Sequence, residues 1–161
     1  GVPGPEGGAA PGGSPPSVRV TQSRSGRGVT RGLPLQWAPP QGKLMRVVAG
    51  RAFVVAVDAR PGSPTVGRDV GIELDADDPA LVWAPPWYAR GFAALADPTD
   101  VENFCTAAYA PAAETAIRRD APAIGLRWPV DRPRLSAKDA AAPPLSAWLA
   151  RPEASRWSRK D

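Results

Sequence analysis

The chain has 161 residues and a net charge of +4, with no histidine and one cysteine, Cys105; that length suits a single domain with a sizeable core. The composition excludes an imidazole base or ligand, an intrachain disulfide and a C-x-x-C metal site, and no eighteen-residue uncharged apolar run is present to span a bilayer. Basic residues are scattered rather than gathered in a stripe with aromatics, so a solvated surface explains the charge better than a nucleic-acid footprint.

Residues 1–16 are rich in Gly and Pro, lack apolar periodicity, and read as a flexible arm that is neither a secretory signal nor a packed element. From residue 17 the texture changes. Short runs of Val, Ile, Leu and aromatics at 18–21, 43–48, 52–58, 70–74, 81–83, 89–95 and 101–106 are separated by turn chemistry such as Ala49-Gly50, Pro61-Gly62-Ser63-Pro64 and Asp97-Pro98. Many short strands at this spacing predict an all-β sandwich or barrel over 17–150. Helix is confined to the end. Ser136 is placed to cap a turn that Pro143-Pro144 stops, and a second turn is expected at 145–149 before a polar tail at 151–161.

Alternation assigns faces. Lys43, Met45 and Val47 share one side of their strand, so Lys43 either points into the barrel or is an edge lysine whose stem snorkels to solvent. Inward lysine is costly without a partner or a task.

Several stretches then occur in order from about residue 18 to residue 145: Arg31-Gly32-Leu33, Pro39-Pro40-Gln41-Gly42-Lys43-Leu44, Val55-Ala56-Val57-Asp58, Trp83-Ala84-Pro85-Pro86, Gly91-Phe92, Cys105-Thr106, Tyr109-Ala110-Pro111, Gly125-Leu126-Arg127-Trp128-Pro129 and Leu135-Ser136-Ala137-Lys138-Asp139. Together they resemble the dTDP-4-dehydrorhamnose 3,5-epimerase family, sugar-nucleotide epimerases with a cupin jelly roll. The resemblance implies removal and return of hydrogens on the two carbons beside a ketone, which needs a base poised near neutral pH and a cation at the enolate oxygen. It places Arg31 and Gln36 against the substrate and Lys43 at the enolate. The family's base position is Pro34, its orienting-carboxylate position is Ala121 with Asp120 one residue off, and its acid position is Asn103. Arg90 stands where a further histidine is expected. The resemblance also implies a homodimer, and the sequence offers no residues for a metal or other cofactor.

Tyr88 and Arg90 share a strand face with Phe92, and that face is expected to look into the cavity and meet the ligand. Trp83, Trp87 and Tyr88 read as packing at the barrel rim, with a stacking platform as the other option. Cys105 reads as a small buried hydrophobe with no cation beside it, and Glu102 as solvated. The favoured reading is a divergent family member in the cytoplasm that keeps a cavity for a nucleotide sugar or natural-product intermediate, for binding or a different conversion in secondary metabolism. An active 3,5-epimerase with a substitute base is the alternative, and a non-catalytic structural or regulatory partner is the second.

Overall fold

The computed structural model describes residues 19–157. The Gly/Pro-rich stretch read as an arm, at 1–16, and residues 158–161 of the expected tail lie outside the described residues. Two four-stranded antiparallel sheets dominate. The first has the order β1 (Arg19–Ser25), β9 (Thr99–Cys105), β4 (Lys43–Ala49), β7 (Val82–Ala84). The second has the order β2 (Thr30–Arg31), β8 (Tyr88–Ala94), β5 (Arg51–Asp58), β6 (Asp69–Asp75). This is an all-β sandwich, as the strand spacing predicts, and of the jelly-roll type that the resemblance implies. A separate two-stranded ribbon joins β3 (Pro34–Gln36) to β10 (Glu114–Ala116).

The two sheets bury a shared core. Met45 and Val47 of β4, Ala52, Val54 and Ala56 of β5, Phe92 of β8 and Val101 of β9 meet between them. β5 is buried on its other face as well. There Val55 and Val57 pack with Leu33, Leu35, Ile117 and Ala121, and with Trp148 from α2 (Leu145–Leu149). Such two-sided burial explains why 52–58 is an almost continuous apolar run rather than an alternating one. Trp148 stacks on Trp37 with ring centroids 5.7 Å apart and donates from Nε1 to the Ala59 carbonyl at 2.8 Å.

Two glycines are required by geometry. Gly50 turns β4 into β5 at a φ of +73°, where a Cβ would strike the Pro98 carbonyl; at Gly91 a Cβ would strike the Arg31 carbonyl, so β2 and β8 could not close at their present distance. In α1 (Ala137–Ala140), Ser136 accepts a hydrogen bond from the Asp139 backbone N–H at 3.1 Å, as the capping pattern predicts.

Where the structure differs, the elements are short. β2, β3 and β10 span two or three residues, too few to show a period. The expected polar tail is partly seated: a 3-10 turn at Pro152–Arg156 buries Ala154, and Arg151 lies over the Trp37 ring at 4.8 Å. Its apolar contacts come from Ala154 and Trp157 among charged neighbours, which composition alone does not reveal.

Candidate functional site

Lys43, at the start of β4, points between the sheets. It lines a cavity of about 190 Å³ with Ser23 of β1, Arg31 of β2, Pro34 of β3, Met45 of β4, Arg90 and Phe92 of β8, and Asn103 of β9. Five strands and the β3 ribbon therefore converge on one small space. The sequence-predicted Lys43, Arg31 and Arg90 come together here. Pro34 and Asn103 also reach it, so the cavity wall has a pyrrolidine ring and an amide at those two places. Ala121 does not line it; it is buried in the outer core, and Asp120 is turned to the surface, paired with Arg118 at 2.6 Å.

Electrostatics set the character of the cavity. Burial, with Arg90 adding repulsion, lowers the pKa of Lys43 to about 8. Arg90 is 3% exposed, and burial lowers its pKa to about 10. Its Nη1 donates to the Gln41 carbonyl at 2.9 Å and its Nη2 to Gln41 Oε1 at 2.7 Å, yet its buried Nε finds no acceptor among the described residues. The Ser23 hydroxyl is likewise buried without a partner among them. Arg31 donates from Nε and Nη2 to Ser25 Oγ, both at 3.2 Å. Among the described residues, no carboxylate lines this space.

Lys43 also borders a second cavity of about 200 Å³ toward the outside, lined by Arg19, Thr21, Gln41, Cys105, Tyr109 and Glu114. Here the Arg19 guanidinium lies 5.5 Å from the Tyr109 ring centroid, and Glu114 is held by Lys138 at 2.8 Å. Cys105 requires a correction: Lys43 is its cross-strand partner in the β4–β9 register and borders the same cavity, so a cation does stand beside it. Glu102 is paired with Arg46 at 2.7 Å rather than simply solvated.

Two expected ligand contacts are placed elsewhere. Gln36 is fully buried and wholly committed to backbone: Nε2 donates to the Pro39 and Ala108 carbonyls and Oε1 accepts from the Ala110 N–H, all at 2.9 Å. It fixes the loop that carries Pro39 and Pro40 and touches neither cavity. Tyr88 leaves the inner cavity because, at the first position of β8, it pairs with Asp58, and Arg60 donates to its hydroxyl at 3.1 Å. It lines instead a groove of about 620 Å³ with Trp37, Arg60, Trp87, Arg156 and Trp157. Asp58 anchors that side. Burial alone would raise its carboxyl, but hydrogen bonds from Arg60, Thr65 and Ser63 hold it well below the usual carboxylate range.

Sequence reasoning missed Ser23 and Gln41. Ser23 was reachable, since it shares the period-2 face of Arg19 and Thr21. Gln41 was not, because nothing local shows that its side chain would grip Arg90, 49 residues away. Among the described residues no three His, Cys, Asp or Glu side chains cluster as a metal site, and no helix is long and apolar enough to cross a membrane.

Comparison with known proteins places this geometry. Residues 9–147 match the family model described as dTDP-4-dehydrorhamnose 3,5-epimerase. A dTDP-4-dehydrorhamnose 3,5-epimerase of Salmonella typhimurium is 42% identical over 134 residues, covering 82% of this chain and 73% of that protein. One from Neisseria gonorrhoeae is 45% identical over 125 residues, but this chain spans only 38% of that protein's length. Among solved structures, the Legionella pneumophila dTDP-6-deoxy-D-glucose-3,5-epimerase in complex with dTDP-4-keto-L-rhamnose superposes with a TM-score of 0.82 at 40% identity, over 88% of this chain and 74% of that one. The Mycobacterium tuberculosis epimerase gives 0.78 at 39% identity, over 87% and 75%.

Proposed function

The chain belongs to the dTDP-4-dehydrorhamnose 3,5-epimerase family, and from that premise we propose that its inner cavity binds a dTDP-linked 4-keto-6-deoxyhexose and exchanges the hydrogens beside the ketone, with Lys43 as the base. The observation that carries this reading is the state of Lys43, buried against Arg90 with a pKa of about 8. Roughly one such amine in ten is neutral at pH 7, enough for a base whose task is proton abstraction beside a carbonyl. The neutral amine takes the C–H proton and the bonding pair moves through the carbonyl to give an enolate. The new ammonium, Arg90 and Arg31 then surround the oxygen with positive charge. Return of the proton from Lys43 restores the original centre; return from water on the other face inverts it. The outer cavity, with Arg19 over Tyr109, is the place this reading gives to the nucleotide diphosphate. The same reading includes a homodimer working in the cytoplasm, with no metal or organic cofactor.

Solvent exchange tests it. Protein and dTDP-4-keto-6-deoxyglucose in heavy water should incorporate deuterium at the carbons flanking the ketone, faster as pH rises through 8, and Lys43→Met should abolish incorporation. A second reading, binding without turnover, is favoured by one observation: Pro34 and Asn103, which also line the cavity, carry no titrating group. Thermal stabilisation by the keto-sugar without exchange selects that second reading, and Pro34→His with Asn103→Tyr should then create exchange. Neither stabilisation nor exchange removes both and leaves the structural-partner alternative.

A further inference from the structure

Among the described residues, the oxygens that hold the Arg90 side chain are uncharged. Nη1 donates to the Gln41 carbonyl at 2.9 Å and to the Tyr88 carbonyl at 3.3 Å, and Nη2 donates to Gln41 Oε1 at 2.7 Å. One residue therefore supplies both prongs of the fork. Its own amide is fixed as well: Gln41 is 4% exposed, and its Nε2 donates to the Ala107 carbonyl at 2.8 Å. Glutamine suits this place because one side chain carries the acceptor for Arg90 and the donor for Ala107. A glutamate would lose the donor, and a leucine both.

Gln41 is also tied in place relative to Lys43, two residues on. The Gly42 N–H donates to Thr106 Oγ1 at 2.9 Å, the Thr106 N–H donates back to the Gly42 carbonyl at 3.1 Å, and Lys43 pairs with Cys105. Residues 41–43 thus run zipped against 105–107. The grip on Arg90 crosses from the start of β4 to β8, from one sheet to the other.

The charges that face Lys43 come from several strands. Arg90 of β8 and Arg19 of β1 oppose its protonation, while Cys105 of β9 and Glu114 of β10 favour it; Cys105 and Glu114 act on Arg90 in the same sense. Glu114 is shared with Lys138, which it meets at 2.8 Å. Arg31 lines the inner cavity and Tyr109 borders the outer one. Into this balance Gln41 brings two neutral acceptors. They offset part of the guanidinium's lost hydration and leave its charge standing.

We propose that Gln41 is a positioning residue, an uncharged clamp that seats the Arg90 guanidinium beside Lys43 and keeps it there as a repelling charge. It acts on Lys43 through Arg90. The proposal deepens the reading above and rests on it for what Lys43 does to the ketone, but the clamp itself is measurable without turnover.

The chain has three lysines, Lys43, Lys138 and Lys160. Labelling the full chain with carbon-13 at the lysine ε-carbon therefore gives an NMR titration in which Lys43→Met identifies the Lys43 signal. Arg90→Gln should raise the proton affinity of Lys43 at least about threefold, because a like charge is removed. Gln41→Leu changes no charge, yet should raise it in the same direction, because the guanidinium leaves its seat. The double variant should match Arg90→Gln alone. If Gln41→Leu fails to fold, Gln41→Glu keeps the acceptors, adds a carboxylate beside the guanidinium, and should also raise the proton affinity. A Lys43 signal that titrates as in the native chain in either Gln41 variant overturns the clamp, as do effects of Gln41→Leu and Arg90→Gln that simply add. Deuterium exchange into the keto-sugar separates the two readings, since its pH profile should follow the Lys43 titration in each variant. Coupled titration with no exchange in the native chain removes the proposed function and keeps the clamp. Exchange in the native chain with Lys43 unmoved by Gln41→Leu removes the clamp and leaves the proposed function standing.

Discussion

Lys43→Met removes a buried charge and keeps most of the stem's volume. Burial and the neighbouring Arg90 take Lys43 from the ordinary lysine value of 10.5 to about 8. At about 1.4 kcal/mol per pKa unit, carrying the ammonium into the cavity costs the native state about 3 kcal/mol. Below pH 8 the lysine is protonated in both folded and unfolded chains, so the whole cost is present at pH 7. Between 8 and 10.5 the unfolded chain binds more protons than the folded one, and stability rises with pH; above 10.5 both are neutral and the cost is gone. Lys43→Met should therefore be more stable than the native chain by up to about 3 kcal/mol at pH 7, with the advantage shrinking toward nothing at pH 10.5. Urea unfolding of the pair at pH 7, 8.5 and 10 measures this, and taking the difference cancels every other group that titrates in that range. A difference that does not change with pH, or a variant less stable than its parent at pH 7, would show that the ammonium is compensated where the structure shows it strained. The case for Lys43 as a base would go with it.

Asp58→Asn should lose about 2 kcal/mol at pH 7, because it removes the charge of a buried carboxylate hydrogen-bonded to the partly exposed Arg60 and to Ser63 and Thr65. The native chain should lose that contribution as pH falls below the ordinary carboxylate range, whereas the variant's acid unfolding should be shallower. Gln36→Leu should cost about 2 kcal/mol in urea unfolding, since it leaves two carbonyls and one N–H unpaired in a fully buried site. β6 shows Val70 62% and Ile72 42% exposed, so light scattering at high micromolar concentration should report a homodimer that Val70→Asp with Ile72→Asp splits; a native monomer would remove the dimer.

Much of the fold is legible because the strand runs are bounded by real turn chemistry, β4 with a two-residue period and β5 as a continuous apolar run buried on both faces. The run at 43–48 gave the inward face of Lys43, Met45 and Val47, and Met45 and Val47 are indeed core residues. The cap at Ser136 was equally readable. Opaque to the sequence was the third layer. Trp37, Trp148 and Ala154 meet over the back of β5, with Trp37 more than 100 residues from the other two in the chain, and nothing in any one of those segments names the others. Gln36 illustrates the same limit. A polar residue inside a matching motif suggests a ligand contact, but three backbone groups from two loops claim its amide completely.

The candidate site shows what periodicity does and does not deliver. Tyr88, Arg90 and Phe92 share one face of β8, so alternation treats them alike. Arg90 and Phe92 reach the inner cavity and Tyr88 does not. Face is a property of the backbone pleat and is local; depth along the strand depends on where the neighbouring strands end, and that is set by tertiary pairing. β2 pairs with β8 only at Phe92 and Ala93, so the cavity that Arg31 lines sits toward the C-terminal half of β8. Tyr88, four residues earlier, lies opposite Asp58 at the end of β5, where Arg60 meets it. A two-residue step separates a cation that shares its cavity with Lys43 from a phenol that serves a different groove.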